Sequence, residues 1–338
     1  MVALKTERRV YMWHVAPRPM PQEAPASVTL SEILGIIKDA YQQKEAQIHL
    51  SGEGRVLKDD APDSQRSPQN RIYIADLEEG QNVFTVLINR GDPSVADAAY
   101  IDAASGTVRT ISPEENESPG SSAHLVIQKA ADSSGTFRAC FERMPHVSSS
   151  HAEILLNTVL SRYALADPAY VYSKRVRKGR QFVTEQRPYR PVLTVRKVPS
   201  EQIKADIERG ELASITLIDS NSEFTGPDAP DVIKSVQKRL ILRPKAADTG
   251  RLVSFINQLT PWATGEGFNE IQINVRGLPG NASSQPRFIL EQEDATETLY
   301  VRTQRLTGFS VILEGCYGGI CKPIQSKMIA LLTDGGKW

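Results

Sequence analysis

Apolar residues in the first half of the chain recur with two different spacings. Leu30, Ile33, Leu34, Ile37 and Tyr41 lie three or four positions apart, and this spacing predicts an amphipathic helix behind the Ser and Thr residues at 27–29. A second helix is predicted from residue 148 to 167. Its expected apolar face consists of Ile154, Leu155, Val159, Tyr163 and Leu165.

Shorter segments rich in β-branched and aromatic residues predict strands. In the first half these segments are residues 9–15, 72–75, 82–88, 123–129 and 136–143. The turn-forming residues 78–81 and 132–135 predict that two pairs of them form hairpins. Residues 58–70 and 112–122 are polar and are expected to form exposed loops.

The second half mixes strand and helix patterns without a regular alternation. Strands are expected at 192–195, 214–218, 236–242, 270–275, 287–290 and 298–303, and helices at 200–209, 248–258 and 322–332. This order favours an α+β fold over a doubly wound sheet. We therefore predict an N-terminal α+β domain at 1–168, a basic connecting or projecting segment at 169–191 and a C-terminal α+β domain at 192–338.

Composition narrows the class of protein. The chain has 338 residues, 40 Lys and Arg against 40 Asp and Glu, and three cysteines. No apolar run is long enough to cross a bilayer, and an odd cysteine count argues against a disulfide framework. We expect a soluble cytoplasmic protein. Residues 1–150 hold 15 basic and 20 acidic residues, so the zero net charge hides an acidic first half and a basic second half.

The excess positive charge is concentrated between Lys174 and Lys197, where nine cations stand against Glu185 as the one acid. Tyr170, Tyr172, Phe182 and Tyr189 are interleaved with them. Guanidinium groups can bind phosphates, and aromatic faces can stack on bases. The candidate DNA-binding residues in this segment are Lys174, Arg175, Arg177, Lys178, Arg180, Arg187 and Arg190. A second basic cluster begins at Lys234, and its candidate DNA-binding residues are Lys238, Arg239, Arg243, Lys245 and Arg251. Either cluster could also be ordinary solvated surface.

Patterns for cofactors and catalysis are missing. The chain has no phosphate-binding loop, and its five histidines are scattered. Cys316 and Cys321 fall short of the four ligands of a structural zinc site. Asp219, Glu223, Asp228 and Asp231 fit an exposed acidic loop. We expect no cofactor, no metal and no catalytic residue.

The order of these segments resembles that of the RexA-type phage exclusion proteins over about residues 8–260. The resemblance rests on the strand at 10–15, the helix at 30–34, the hairpin at 72–88, and Ser214–Asp219 followed by Leu240–Lys245. Arg243 stands where the family has a lysine, and the basic segment 174–190 and the C-terminal tail have no counterpart. The resemblance implies a dimeric, sequence-tolerant DNA binder of abortive infection, similar in shape to the RdgC-type proteins that encircle duplex DNA. It also implies a membrane protein as effector partner.

The leading hypothesis is a non-enzymatic, sequence-nonspecific binder of double-stranded DNA that acts in antiphage defence as a homodimer. One alternative is a nuclease or another effector enzyme of a phage defence system, with catalytic residues dispersed in the sequence. Another is a protein-interaction module whose basic segment binds an acidic protein or lipid headgroups.

Overall fold

A computed structural model describes residues 4–21, 24, 27–51, 56–57, 62, 67, 69–133, 135–178, 181–198, 212–219, 238–243, 255, 259, 262–263, 266, 268, 270–278, 282–284, 287–289 and 301–338. These residues are rich in strands and include three α-helices, which confirms the predicted α+β class. The predicted helix 200–209 and most of the predicted helix 248–258 lie outside the described residues.

The described helices are α1 (Leu30–Gln42), α2 (Ser149–Ala166) and α3 (Lys322–Thr333), followed by a 3-10 turn at Gly335–Lys337. The first eleven strands are β1 (Arg8–Met20), β2 (Gln47–His49), β3 (Arg71–Glu79), β4 (Val83–Gly91), β5 (Ala98–Ile101), β6 (Val108–Ile111), β7 (Gly120–Ala131), β8 (Phe137–Glu142), β9 (Val171–Lys178), β10 (Gln181–Pro188) and β11 (Arg190–Lys197). The others are β12 (Leu212–Asp219), β13 (Lys238–Leu242), β14 (Glu270–Leu278), β15 (Ala282–Ser284), β16 (Arg287–Ile289) and β17 (Thr303–Leu306). None of the helices in this described part is long and apolar enough to span a membrane.

The chain divides into two compact units, one formed by residues 1–195 with 304–338 and the other by residues 196–303. The first unit is built on an eight-stranded sheet in the order β11-β1-β8-β7-β4-β3-β2, with β17 also paired to β1. The second unit contains a five-stranded sheet in the order β13-β12-β14-β15, with β16 also paired to β14. The predicted boundary at 192 assigned residues 304–338 to a C-terminal domain, whereas the structure places them in the first unit.

Helices α1 and α2 contact each other and the strands β1, β2 and β3. Thr29 caps α1, since its Oγ1 accepts the Glu32 N–H at 3.2 Å while the Glu32 carboxylate accepts the Thr29 N–H at 3.4 Å. The buried face of α1 contains Leu30, Ile33, Leu34 and Ile37, as predicted.

The buried face of α2 differs from the prediction. Its buried apolar residues are Ala152, Leu155, Leu156, Val159, Leu160 and Ala164. They follow one another three or four residues apart along a single stripe, and Ile154 and Leu165 fall off this stripe. Those two side chains are accordingly 39% and 80% exposed.

Helix α3 packs against β7 and β8 of the same sheet. Ile324 and Met328 are fully buried there, in one cluster with Val10, Val126 and Cys140. Cross-strand register pairs Met12 with Cys140 and Val126 with Cys140, so the side chains of Met12, Val126 and Cys140 share one face of the sheet. The C-terminal helix thus completes the core of the first unit.

The residues just before α3, 315–321, form a segment that we call the C-terminal strap. Polar side chains on β3, β4 and β7 hold its backbone. Asn89 donates to the Tyr317 carbonyl at 2.9 Å, and Ser122 Oγ accepts the Tyr317 N–H at 2.7 Å. Asp76 accepts the Ile320 N–H at 2.8 Å. Each bond is made by a group that protrudes from the sheet, so the strap is fixed by the strands it crosses.

A buried charged network lies beneath the strap. The Arg8 Nε donates to Glu142 Oε1 at 2.7 Å, and these side chains are 2% and 0% exposed. His124 contacts the other Glu142 oxygen through Nδ1 and accepts the Cys321 N–H at Nε2. This network links β1, β7, β8 and the strap, and it satisfies the buried carboxylate on both oxygens.

The outer edge of β11 is occupied by a side chain. Asn157 of α2 accepts the Leu193 N–H at 2.9 Å and donates to the Leu193 carbonyl at 3.2 Å. These are the two backbone groups that a further strand would bind. The amide therefore ends the sheet at β11.

Candidate nucleic-acid interface

The basic segment folds into an antiparallel ribbon of two strands, β9 and β10, which we call the basic ribbon. The two strands form a sheet of their own, with pairs running from Val171 opposite Pro188 to Lys178 opposite Gln181. Eight residues at roughly 3.3 Å each give it a length of about 26 Å. The sequence predicted a loop or ribbon that stands away from the core, and the register identifies a ribbon.

Two tyrosines fix the root of the basic ribbon. Tyr170 precedes β9 and Tyr189 follows β10, so both lie at the same end of the ribbon, with ring centroids 5.3 Å apart and a backbone bond from the Tyr189 N–H to the Tyr170 carbonyl. The Tyr170 hydroxyl donates to Glu32 at 2.8 Å. Burial, together with this bond to Glu32, raises the pKa of Tyr170. The ribbon therefore starts from a fixed point beside the first turn of α1.

One face of the basic ribbon carries an aromatic ring covered by a cation. The guanidinium of Arg175 lies 4.7 Å from the centre of the Phe182 ring. Phe182 remains 60% exposed. On the same face, Gln186 donates to Ser173 at 2.9 Å. This face thus combines a hydrogen-bonded polar pair with a solvent-exposed ring.

The opposite face carries an ion pair. Arg187 Nη2 lies 3.0 Å from Glu185 Oε2, with side chains 44% and 28% exposed. Lys174 is directly opposite Glu185 in the register. Cations therefore occupy both faces of the basic ribbon, and Glu185 offsets part of the charge on one of them.

The four other predicted residues in this segment lie in different places. Arg177 and Lys178 belong to β9, opposite Phe182 and Gln181. Arg180 lies outside the described residues. Arg190 belongs to β11 and donates to Ser161 of α2 at 2.9 Å, so it ties the sheet to a helix and is not part of the ribbon.

The second predicted cluster belongs to the other unit. Lys238, Arg239 and Arg243 are exposed at β13, and the Lys238 ammonium lies 5.2 Å from the centre of the Phe268 ring. In the register Lys238 is opposite Asp219. Lys245 and Arg251 lie outside the described residues. Three of the five predicted residues thus lie on or next to β13.

The buried network and the strap were not predicted from the sequence. His124 and Glu142 occupy positions in β7 and β8 whose side chains are fully buried. Cys316 and Cys321, which were too few for a zinc site, are free thiols in the strap. The only signal available beforehand was a histidine and a glutamate within otherwise apolar strands.

An open cleft of about 710 Å³ lies in the first unit. Its lining includes Arg71, Tyr73, Asn89 and Cys316. The Asn89 amide is already engaged by the strap and by Ser122, whose hydroxyl donates to Asn89 Oδ1 at 2.7 Å. The Arg71 guanidinium lies on the Tyr73 ring at 4.8 Å. The Asn89 amide and the Arg71 guanidinium therefore serve contacts within the protein.

Among the residues that the structure describes, no group of three or more His, Cys, Asp or Glu side chains is arranged to bind a metal ion. Of the acidic loop suggested by the sequence, Asp219 ends β12, and Glu223, Asp228 and Asp231 lie outside the described residues. The chain matches no protein-family model, no curated protein and no solved structure with which it was compared.

Proposed function

We propose that this protein binds double-stranded DNA without sequence specificity, and that the basic ribbon is the binding element. The observation that supports this most directly is the separate two-stranded sheet of β9 and β10, with Lys174 and Arg187 on one face and Arg175 on the other. A ribbon with cations on both faces can approach two phosphate strands at once.

The dimensions of the basic ribbon suit a DNA groove. The major groove of B-DNA is about 12 Å wide and admits a two-stranded β-ribbon. A ribbon about 26 Å long is longer than such a groove is deep, about 8.5 Å, so its far end can enter the groove while its root stays outside. The phosphates on both walls are then within reach of the two faces, and contacts of this kind carry affinity with little base information.

Charge reversal on the basic ribbon tests this proposal. Changing Lys174, Arg175 and Arg187 to Glu should weaken binding to several unrelated 30-bp duplexes by about 100-fold each, because charge-assisted phosphate contacts become repulsive. The matched control changes Lys5, Lys44 and Arg109, which are exposed in the first unit, so the net charge is the same. Fluorescence anisotropy at physiological salt gives both affinities. Equal affinities for the two triple variants would overturn the proposal.

The place in antiphage defence, the homodimer, the cytoplasmic location and the membrane-protein effector are parts of the same proposal that rest on the resemblance to RexA-type proteins. Phage plating on cells that carry the wild-type or the ribbon variant tests the defence role. Light scattering tests the dimer. Incubation with magnesium and labelled DNA or RNA tests the alternative of a nuclease, since cleavage abolished by one carboxylate substitution would favour the enzyme.

A further inference from the structure

Phe182 is a large apolar residue whose side chain is mostly exposed to solvent, and the fold of the ribbon gives no reason for this exposure. Its ring is 60% exposed, although it is part of a strand. An apolar ring in water is unfavourable in proportion to its exposed area. The Arg175 guanidinium lies 4.7 Å from the centre of the ring. The ring therefore packs against a charged group and not against an apolar core.

The position of Phe182 is far from the root of the ribbon. It is the second residue of β10 and is opposite Arg177, one pair away from the last pair of the ribbon. Seven residues separate it from Tyr189, a distance of about 23 Å in an extended strand. The major groove is about 8.5 Å deep. The ring can therefore reach base pairs while the root stays outside the duplex.

Resting on the DNA binding proposed above, we propose that Phe182 is a wedge that inserts between neighbouring base pairs, so that the preferred ligand is duplex DNA at a site of weakened stacking. Apolar side chains of minor-groove and architectural proteins enter base steps from the opposite, minor groove and kink the duplex, and the insertion proposed here is of the same kind but from the major groove. The cations of the ribbon bind the phosphates on either side of the insertion. Arg175, which lies on the ring, is carried close to the phosphates of the DNA backbone when the ring inserts. Unstacking costs less at a bulge or mismatch than in an intact duplex, so such sites should bind more tightly.

The test uses the full chain and three 30-bp probes, namely an intact duplex, the same duplex with one mismatch, and the same duplex with a two-nucleotide bulge. Dyes at both ends report bending by energy transfer, and 2-aminopurine beside the defect reports unstacking. We expect the wild type to prefer the bulged probe over the intact duplex by about tenfold and to bend it.

Three variants test whether the preference for the bulged probe and the bending depend on the Phe182 ring. Phe182→Ala should lose the preference and the bending, while its affinity for the intact duplex changes by less than about threefold, because the phosphate contacts remain. Phe182→Leu keeps an apolar wedge and should retain much of both effects. Tyr100→Ala, which removes an aromatic ring 56% exposed on another hairpin, should behave as the wild type.

The outcomes separate the wedge from DNA binding itself. If the wild type binds all three probes equally without bending, or if Phe182→Ala keeps the preference, the wedge is overturned and the proposed function stands. If Phe182→Ala loses affinity for all probes alike, the ring supports the fold of the ribbon, and the wedge is likewise overturned. If no probe binds, both proposals fail.

Discussion

His124 donates a hydrogen bond from Nδ1 to the Glu142 carboxylate, 2.5 Å away and fully buried. The proton is assigned to Nδ1 because Nε2 accepts the backbone N–H of Cys321 at 2.9 Å, and a neutral imidazole has one donor and one acceptor. The pair joins two central strands to the C-terminal strap. The Glu142 carboxylate, acting through His124, therefore holds strands β7 and β8 to a strap that lies far away in the sequence.

Glu142→Gln should destabilise the first unit by about 3–5 kcal/mol. The change leaves the Arg8 guanidinium buried without its carboxylate, and an uncompensated buried charge has a cost of this order. Urea unfolding, followed through tryptophan fluorescence, measures it, since Trp13 stacks on Phe141 in the same sheet. Glu114→Gln, at an exposed position, is the control. A loss below about 1 kcal/mol for Glu142→Gln would contradict the importance of the network.

Met328→Ala should cost about 2–5 kcal/mol, the usual range for a large-to-small change in a core. Met328 is fully buried among Val10, Val126 and Cys140. Ser326→Ala, on the exposed side of α3, should leave the free energy of unfolding nearly unchanged. If both variants were equally stable, α3 would be a peripheral attachment and not a part of the core.

The folded protein should lose stability in alkali because of the Tyr317 hydroxyl. Burial raises the pKa of its hydroxyl from 10.0 to about 12. Between these two values the unfolded chain has released a proton that the folded protein still holds, so the stability of the folded state falls as pH rises from about 10 to 12. Tyr317→Phe removes this contribution. The variant should show a shallower decline in urea midpoint over that range, and a decline as steep as in the wild type would exclude Tyr317 as its source.

Glu185→Gln should strengthen DNA binding. It removes the carboxylate 3.0 Å from Arg187, so one more cation becomes available to phosphate. The slope of log K against log salt should then steepen by about 0.9, the value for one additional phosphate contact on a duplex. A salt series measured by anisotropy checks this.

Glu115→Gln is the matched control for that change. It alters the net charge by the same amount at an exposed position outside the basic ribbon. Its salt slope should equal that of the wild type. Identical slopes for the Glu185 and Glu115 variants would show that Glu185 does not compete with phosphate for Arg187.

The sequence predicted the elements that bury a periodic apolar face. Helix α1, the hairpin of β3 and β4, and the turn at Gly135, whose φ is +74°, follow from local patterns. The hairpin of β5 and β6 was missed because all eight of its residues are exposed, and an element without a buried face leaves no alternation to read.

Contacts between distant parts of the chain could not be predicted from the sequence. The attachment of α3 depends on Ile324 and Met328 meeting strands more than 180 residues earlier. Charge density singled out residues 169–191, which contain the strands of the basic ribbon. It could not separate Arg190, which binds Ser161, from the ribbon cations, because charge alone does not show where a strand leaves one sheet and joins another.

The Asn157 amide at Leu193 has a consequence for the protein in concentrated solution. An open strand edge is a template on which other chains can add and from which insoluble assemblies grow. At β11 the donor and acceptor of Leu193 are already bound to one side chain, so an incoming polypeptide finds no partner there. One amide on α2 thus blocks the addition of a further strand at this point of the sheet edge.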